Sequence, residues 1–182
     1  MSFHPTTQRL VLRTPVMADV ADMVAILNDY EVVKNLAPVP HPFTEDACRE
    51  RIVVSAAERA AGNGYWFAVT RAMDGAFLGL CAVDKLAGGV WEFGYWYGRT
   101  FWGQGYATEA AQPVLRFAFA DLGAEMLTAG WFVDNPASGR VLEKLGFTPT
   151  GVVQRNALAR GHAVASNRVQ LTAAQFARKK AA

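Results

Sequence analysis

Cysteine, charge and long apolar runs are all scarce in this chain, and each scarcity closes off a class of protein. Among 182 residues there are two cysteines, Cys48 and Cys81. They form no Cys-x-x-Cys pair and are too few for a disulfide framework, so a reducing, cytoplasmic setting is the expectation. Charged residues make up 19% of the chain, below the usual quarter, and 18 basic residues nearly balance 16 acidic ones. No acidic tail or basic stripe results, and no nucleic-acid partner is expected. No apolar stretch reaches the roughly 18 residues that span a bilayer, because Glu, Asp, Arg or Gly breaks every candidate; no membrane partner is expected. The start, Met1 to Gln8, lacks the basic opening and apolar run of a signal peptide, so export is not expected. His4, His41 and His162 stand at no metal-ligand spacing, and no metal is expected.

What the chain has in abundance is apolar surface. Hydrophobic residues reach 52%, which excludes disorder, and the length suits one core, so residues 1–182 are read as a single domain. Alternation predicts a strand at Leu10–Arg13, and Val20, Met23, Val24 and Leu27 recur at helical spacing within a helix from about Ala18 to Asn28. Pro38, Pro40 and Pro42 force a loop. Thr44 then caps a second helix that runs to about Ala61 and stops at Gly62-Asn63-Gly64. Three strands follow, Tyr65–Arg71, Ala76–Asp84 and Val90–Tyr97, separated by turn chemistry and read as an antiparallel meander. A glycine-rich loop leads into a helix ending near Asp121, in which Pro113 predicts a late start or a small bend. A strand at Met126–Val133, a helix at Pro136–Leu145 and strands near Thr148–Gln154 and Ala165–Thr172 complete the order. Arg178-Lys179-Lys180 reads as part of a solvated, frayed tail over about 175–182. The element order predicts an α+β, or mixed α/β, sheet with helices on its faces.

Chemistry concentrates in two stretches. Trp91-Glu-Phe-Gly-Tyr-Trp-Tyr97 is followed by Gly103-Gln-Gly-Tyr-Ala-Thr-Glu109. Glycines before a helix let the backbone approach a ligand, and the free N–H groups of the first helical turn attract phosphate. Neither the dinucleotide fingerprint nor the P-loop is satisfied here. From the residues alone, an anion cradle and a plain tight turn fit equally. Downstream, Asn135-Pro136 opens a short helix that ends at Leu145-Gly146-Phe147, and good capping explains Asn135 without any function. Glu92 is out of place in an apolar, aromatic strand unless it is paired or useful. Trp66, Trp91 and Trp131 read as core at strand spacing.

Taken together and in this order, the two stretches resemble the GCN5-related N-acetyltransferase superfamily. The phosphate-loop pattern Gln/Arg-x-x-Gly-x-Gly/Ala falls on Trp102-Gly-Gln-Gly105-Tyr-Ala107, with Trp102 in place of the opening basic or amide residue. Trp102–Ala110 follows the Trp-Gly-x-Gly-Tyr-Ala-Thr-Glu-Ala form of the branch resembling ribosomal-protein alanine N-acetyltransferases. Gln8-Arg9-Leu10-Val-Leu-Arg13 and the Pro-Phe-Thr44 before the second helix are similar to that branch as well.

The resemblance implies a mostly antiparallel sheet splayed between its fourth and fifth strands, here Val90–Tyr97 and Met126–Val133, with helices on both faces and acetyl-CoA in the gap. Gly103, Gln104, Gly105, Tyr106, Ala107 and Thr108 would hold the pyrophosphate, Tyr95, Trp96 and Tyr97 the pantetheine arm, and Asn135 would adjoin the cofactor. Glu92 would be a general base acting through water. Ser138 would serve the leaving sulfur, with Tyr106 or Tyr97 as substitutes. His41 and Phe43 would touch the acceptor, because the proline loop lies where that branch builds its acceptor pocket. The expected activity is direct acetyl transfer to a protein N-terminal or small-molecule amine, by a monomer or homodimer. The alternative is a non-catalytic acyl-CoA-binding regulatory module.

Overall fold

The computed structural model describes residues 3–181. Seven strands form one sheet in the order β1-β2-β3-β4-β5-β7-β6. They are β1 (Leu10–Arg13), β2 (Gly64–Arg71), β3 (Phe77–Lys85), β4 (Trp91–Tyr97), β5 (Met126–Phe132), β6 (Thr148–Ala157) and β7 (His162–Thr172). Neighbours pair antiparallel except β4 and β5, which run parallel. That parallel pairing covers two positions, Trp91↔Leu127 and Glu92↔Thr128. Beyond Glu92 the strands part, and the splay implied by the resemblance opens there.

Because side chains alternate across a strand, each strand feeds two cores. Phe67 and Val69 of β2 face one layer, where α4 (Tyr106–Ala120) buries Val114, Leu115, Phe117 and Ala118. Ala68 of β2, with Leu80 and Ala82 of β3, faces the other layer. There α1 (Val20–Leu27) supplies Met23 and Leu27, and α3 (Glu45–Ala61) supplies Cys48 and Ile52. The Thr44 hydroxyl accepts from Ala47 N at 3.2 Å, and Gly62 ends α3 at φ 75°. Helix α5 (Pro136–Leu145) starts at Asn135, whose side chain accepts from Ser138 N at 3.3 Å, and stops at Gly146.

Several expectations are corrected. The first helix divides into a 3₁₀ turn at Met17–Asp19 and α1. A further turn of helix, α2 (Tyr30–Val33), then forms under an Asp29 cap. Pro113 does not delay α4, which begins at Tyr106 and carries the proline inside; its missing N–H removes the helical donor to the Glu109 carbonyl. The β6–β7 hairpin is longer at both inner ends than the sequence suggests. The tail expected to fray instead continues as α6 (Ala173–Ala181), because Phe176 is buried beside Phe119 with ring centroids 5.1 Å apart. Ala182 lies outside the described residues.

Candidate active site

The gap between β4 and β5 opens into a cleft of about 530 Å³. One rim is the loop from β4 to α4. Gly103 and Gly105 take φ of 74° and 81°, a left-handed conformation that side chains rarely adopt, and Gly105 forms the N-cap of α4. A Cβ on Gly103 would meet nothing within 4 Å, so its backbone faces open space. The N–H groups at the start of α4 are aimed the same way, with the positive end of the helix behind them.

Trp102, the residue that departs from the family pattern, has a structural task. Its indole N–H donates to the Tyr97 carbonyl at 2.8 Å and folds the loop onto the end of β4. On the same edge the Trp91 carbonyl accepts from the Thr128 hydroxyl at 3.3 Å. By the period of two, the peptide groups of Phe93 and Tyr95 also turn toward β5, where the splay leaves them without a strand partner. Trp96 and Gly94 instead pair with Leu80 and Ala82 of β3.

Behind the loop, Arg9 acts as a clamp that sequence reasoning missed. Its guanidinium binds Glu109 at 2.6 Å, donates to the Gln104 carbonyl at 3.1 Å and lies over the Tyr106 ring at 4.5 Å. The Thr7 hydroxyl donates to the same Glu109 carboxylate at 2.6 Å. Burial opposes ionisation, but these hydrogen bonds prevail and hold the Glu109 carboxyl below its ordinary range.

Where β4 faces α5, the Tyr95 hydroxyl lies 2.8 Å from Ser138 Oγ and donates to the Ser138 carbonyl at 3.1 Å. Burial pushes the Tyr95 phenol up, so it stays protonated. Tyr97 is enclosed, with its hydroxyl 3.1 Å from the Cys81 sulfur. Burial drives both groups up, the Cys81 thiol to about 12, and the pair belongs to the core rather than the cleft chemistry.

Glu92 reaches the cleft, yet its Oε1 is already engaged by Arg168 at 2.7 Å and Arg155 at 3.4 Å. Across the β3–β4 ladder its register partner is Asp84, a second cleft carboxylate that sequence reasoning passed over. Asp84 accepts from the Trp66 indole N–H at 3.0 Å. Desolvation pushes its carboxyl up against that hydrogen bond, and the neighbouring Glu92 and Glu58 charges add to the rise. The signal that singled out Glu92, a carboxylate in an otherwise apolar strand, applies equally to Asp84.

The cleft collects Glu92, Tyr95, Trp96, Tyr97, Gly103, Gly105, Tyr106, Ala107, Thr108, Asn135 and Ser138. Gln104 is absent from that lining; its side chain donates outward to the Thr100 carbonyl at 2.8 Å. Phe43 is 2% exposed and packs in the core, while His41 sits on the surface against Tyr30. Neither lines the cleft. Trp66 and Trp131, read as core, do line it. Among the described residues no group of three or more His, Cys, Asp or Glu could hold a metal, and no helix is long and apolar enough to cross a membrane.

A splayed sheet with unpaired strand edges, leading to a glycine-lined helix N-terminus, is the arrangement implied by the resemblance to acyltransferases that take their acyl group from a coenzyme A thioester. The chain belongs to the acetyltransferase (GNAT) domain family, which it matches over residues 9–148. It is 26% identical over 160 residues to the uncharacterized N-acetyltransferase p20 of Bacillus licheniformis, covering 87% of this chain and 89% of that one. The fold is shared with RimJ of Mycobacterium smegmatis, solved with a CoA disulfide, at TM-score 0.80 and 22% identity over 92% of this chain and 83% of that one. It is shared too with ribosomal-protein-S5-alanine acetyltransferase of Vibrio fischeri, at TM-score 0.81 and 15% identity over 93% and 96%. Acetyl-CoA is the co-substrate. The residues present fit it, since the open backbone at Gly103 and the free edge of β4 supply donors without an intervening side chain.

Proposed function

We propose that the protein transfers acetyl directly to a primary amine, either a protein N-terminal α-amine or the amine of a small molecule. The observation that carries this reading is the Tyr95–Ser138 hydroxyl pair, 2.8 Å apart, standing at the gap that opens toward two carboxylates. Direct transfer needs a neutral amine, stabilisation of a developing oxyanion and a proton for the departing thiolate. No enzyme nucleophile is required, which agrees with the burial of Cys48 and Cys81.

In this reading the backbone N–H groups from Gly103 to Thr108 hold the pyrophosphate, and the Phe93 and Tyr95 peptide groups orient the pantetheine arm. Asn135 fixes Ser138 by capping α5. The serine hydroxyl, held in place by Tyr95, bonds the leaving sulfur and relays a proton to it. Glu92 and Asp84 form the acceptor side. The similarity in fold to a ribosomal-protein-S5-alanine acetyltransferase supports the N-terminal α-amine as one candidate acceptor. The balanced charge and scarce cysteine support work in the cytoplasm.

The test is release of free thiol from acetyl-CoA in the presence of a panel of small amines and peptides with free N-termini. Turnover with at least one primary amine is expected. Binding of acetyl-CoA without turnover across the panel would overturn the reading in favour of a non-catalytic module.

A further inference from the structure

The face of the sheet turned toward α1 and α3 carries a chamber built row by row across three strands. Opposed residues of an antiparallel ladder share a face, so the registers place Gly64, Asp84 and Glu92 in one row. Trp66, Ala82 and Gly94 form the next row, and Leu80 and Trp96 stand in the third. All but Gly64 line the cleft. Gly94 has neither positive φ nor close packing to explain it: a Cβ there would meet nothing within 4 Å. Ala82 and Gly94 therefore make a low floor between two indoles. Asp84 closes the end, and its carboxylate is seated over Gly64, where a Cβ would lie 2.7 Å from Oδ1.

The two carboxylates of the end row are unlike. Glu92 Oε1 is bound by Arg168 and Arg155, so a cation approaching that oxygen meets two fixed positive charges. Asp84 takes part in no ion pair among the described residues and accepts its hydrogen bonds from the neutral Trp66 indole.

We propose that this chamber is the acceptor subsite: Asp84 binds the acceptor's ammonium group and takes its proton, Glu92 is a positioning residue, and the acceptor is a primary amine bearing an apolar group that lies on Gly94 between Trp66 and Trp96. The proposal rests on the acetyl-transfer reading above and gives it a substrate class. Protons and bonds balance. The ammonium yields one proton to the Asp84 carboxylate, and the freed lone pair forms the C–N bond to the acetyl carbon. The C–S bond breaks with its electrons on sulfur, and the second nitrogen proton passes through the Ser138 hydroxyl to the thiolate, leaving the serine as it began. Asp84 returns its proton to solvent. Burial favours this role by raising the Asp84 carboxyl above its ordinary range, which strengthens it as a base. The charged groups around it are Glu92 on β4, Glu50, Arg51 and Glu58 on α3, and Arg155 and Arg168 behind Glu92.

Asp84→Asn, Glu92→Gln and Gly94→Val test the proposal, with thiol release measured against pH for primary amines carrying apolar or charged groups. Asp84→Asn is expected to lower kcat/KM by about 100-fold or more and to abolish the acid limb of its pH profile, at unchanged acetyl-CoA affinity. Its carboxamide oxygen can still accept from Trp66, so the fold is kept, and acetyl-CoA affinity verifies this. Glu92→Gln should retain the acid limb. Gly94→Val should raise the acceptor KM about tenfold or more while leaving the acetyl-CoA Kd alone, because the Gly94 peptide pairs with β3 and not with the gap. Unaltered turnover and pH profile in Asp84→Asn, or loss of the acid limb in Glu92→Gln alone, would overturn the assignment of Asp84. Preference for amines bearing carboxylate groups would overturn the substrate class. Absence of thiol release by the unaltered protein with every amine would overturn the acetyl-transfer reading and the chamber with it.

Discussion

Arg9 and Glu109, 100 residues apart in sequence, meet as a guanidinium–carboxylate pair at 2.6 Å and fasten the approach to β1 onto the first turn of α4. The same guanidinium reaches the Gln104 carbonyl and covers Tyr106, so one side chain holds two positions of the glycine loop together with Glu109 of α4. The loop owes its shape to this contact as well as to its glycines.

Arg9→Ala is expected to weaken acetyl-CoA binding about fivefold, roughly 1 kcal/mol, because the pair is partly exposed and its strength is screened. Calorimetric titration with acetyl-CoA measures the change. Arg49→Ala removes an exposed pair on α3 that does not line the cleft, and should leave the Kd unchanged. Equal Kd values for the two variants would deny Arg9 any role in the loop.

Within the loop, backbone conformation should matter more than side-chain identity. Gly105→Val puts a branched side chain at φ 81°, a strain on the order of 1–2 kcal/mol before any obstruction of the ligand. A loss of acetyl-CoA affinity of about 30-fold or more is expected. Gln104→Ala, whose side chain points away from the cleft, should change affinity less than about twofold. The same titration checks both, and similar effects from the two substitutions would refute the cradle.

Ser138→Ala and Tyr95→Phe each break the hydroxyl pair, and each should reduce kcat about 10- to 100-fold with little effect on the acetyl-CoA Kd. The double variant should be little worse than the slower single one, since the two groups act as one relay. Steady-state kinetics beside calorimetry separate these outcomes. Additive losses would mean that the hydroxyls work independently.

Phe176→Ala should cost roughly 3 kcal/mol of folding stability, the usual penalty for emptying a buried aromatic site. Denaturant unfolding gives the value. A loss below about 0.5 kcal/mol would mean that α6 adds nothing to the core.

The tail shows why part of the fold was not legible. Arg178-Lys179-Lys180 has the composition of a solvated end, and nothing local announces that Phe176 will find Phe119 across the molecule. By contrast, Asn135-Pro136 and Gly146 mark both ends of α5 because capping is chemistry within a few residues of chain. The glycine-bearing turn before α4 was legible for the same reason, whereas its reading as a phosphate loop came from the resemblance. The proline loop shows the opposite case: resemblance pointed to His41 and Phe43, but the Phe43 ring is drawn into the core.

The sequence by itself determined the strands, the capped helices and the glycine-bearing turn before α4, since each depends on periodicity or on backbone freedom at named positions. Only the tertiary structure decided what those elements bring together. Asp84, Trp66 and Gly94 come from three strands and meet through ladder register. Arg168 and Arg155 come from β7 and β6 to occupy Glu92. A one-residue slip in any of these ladders would turn the side chains to the opposite face, so the character of the carboxylate end of the cleft is a property of pairing between strands, which no local stretch of chain encodes.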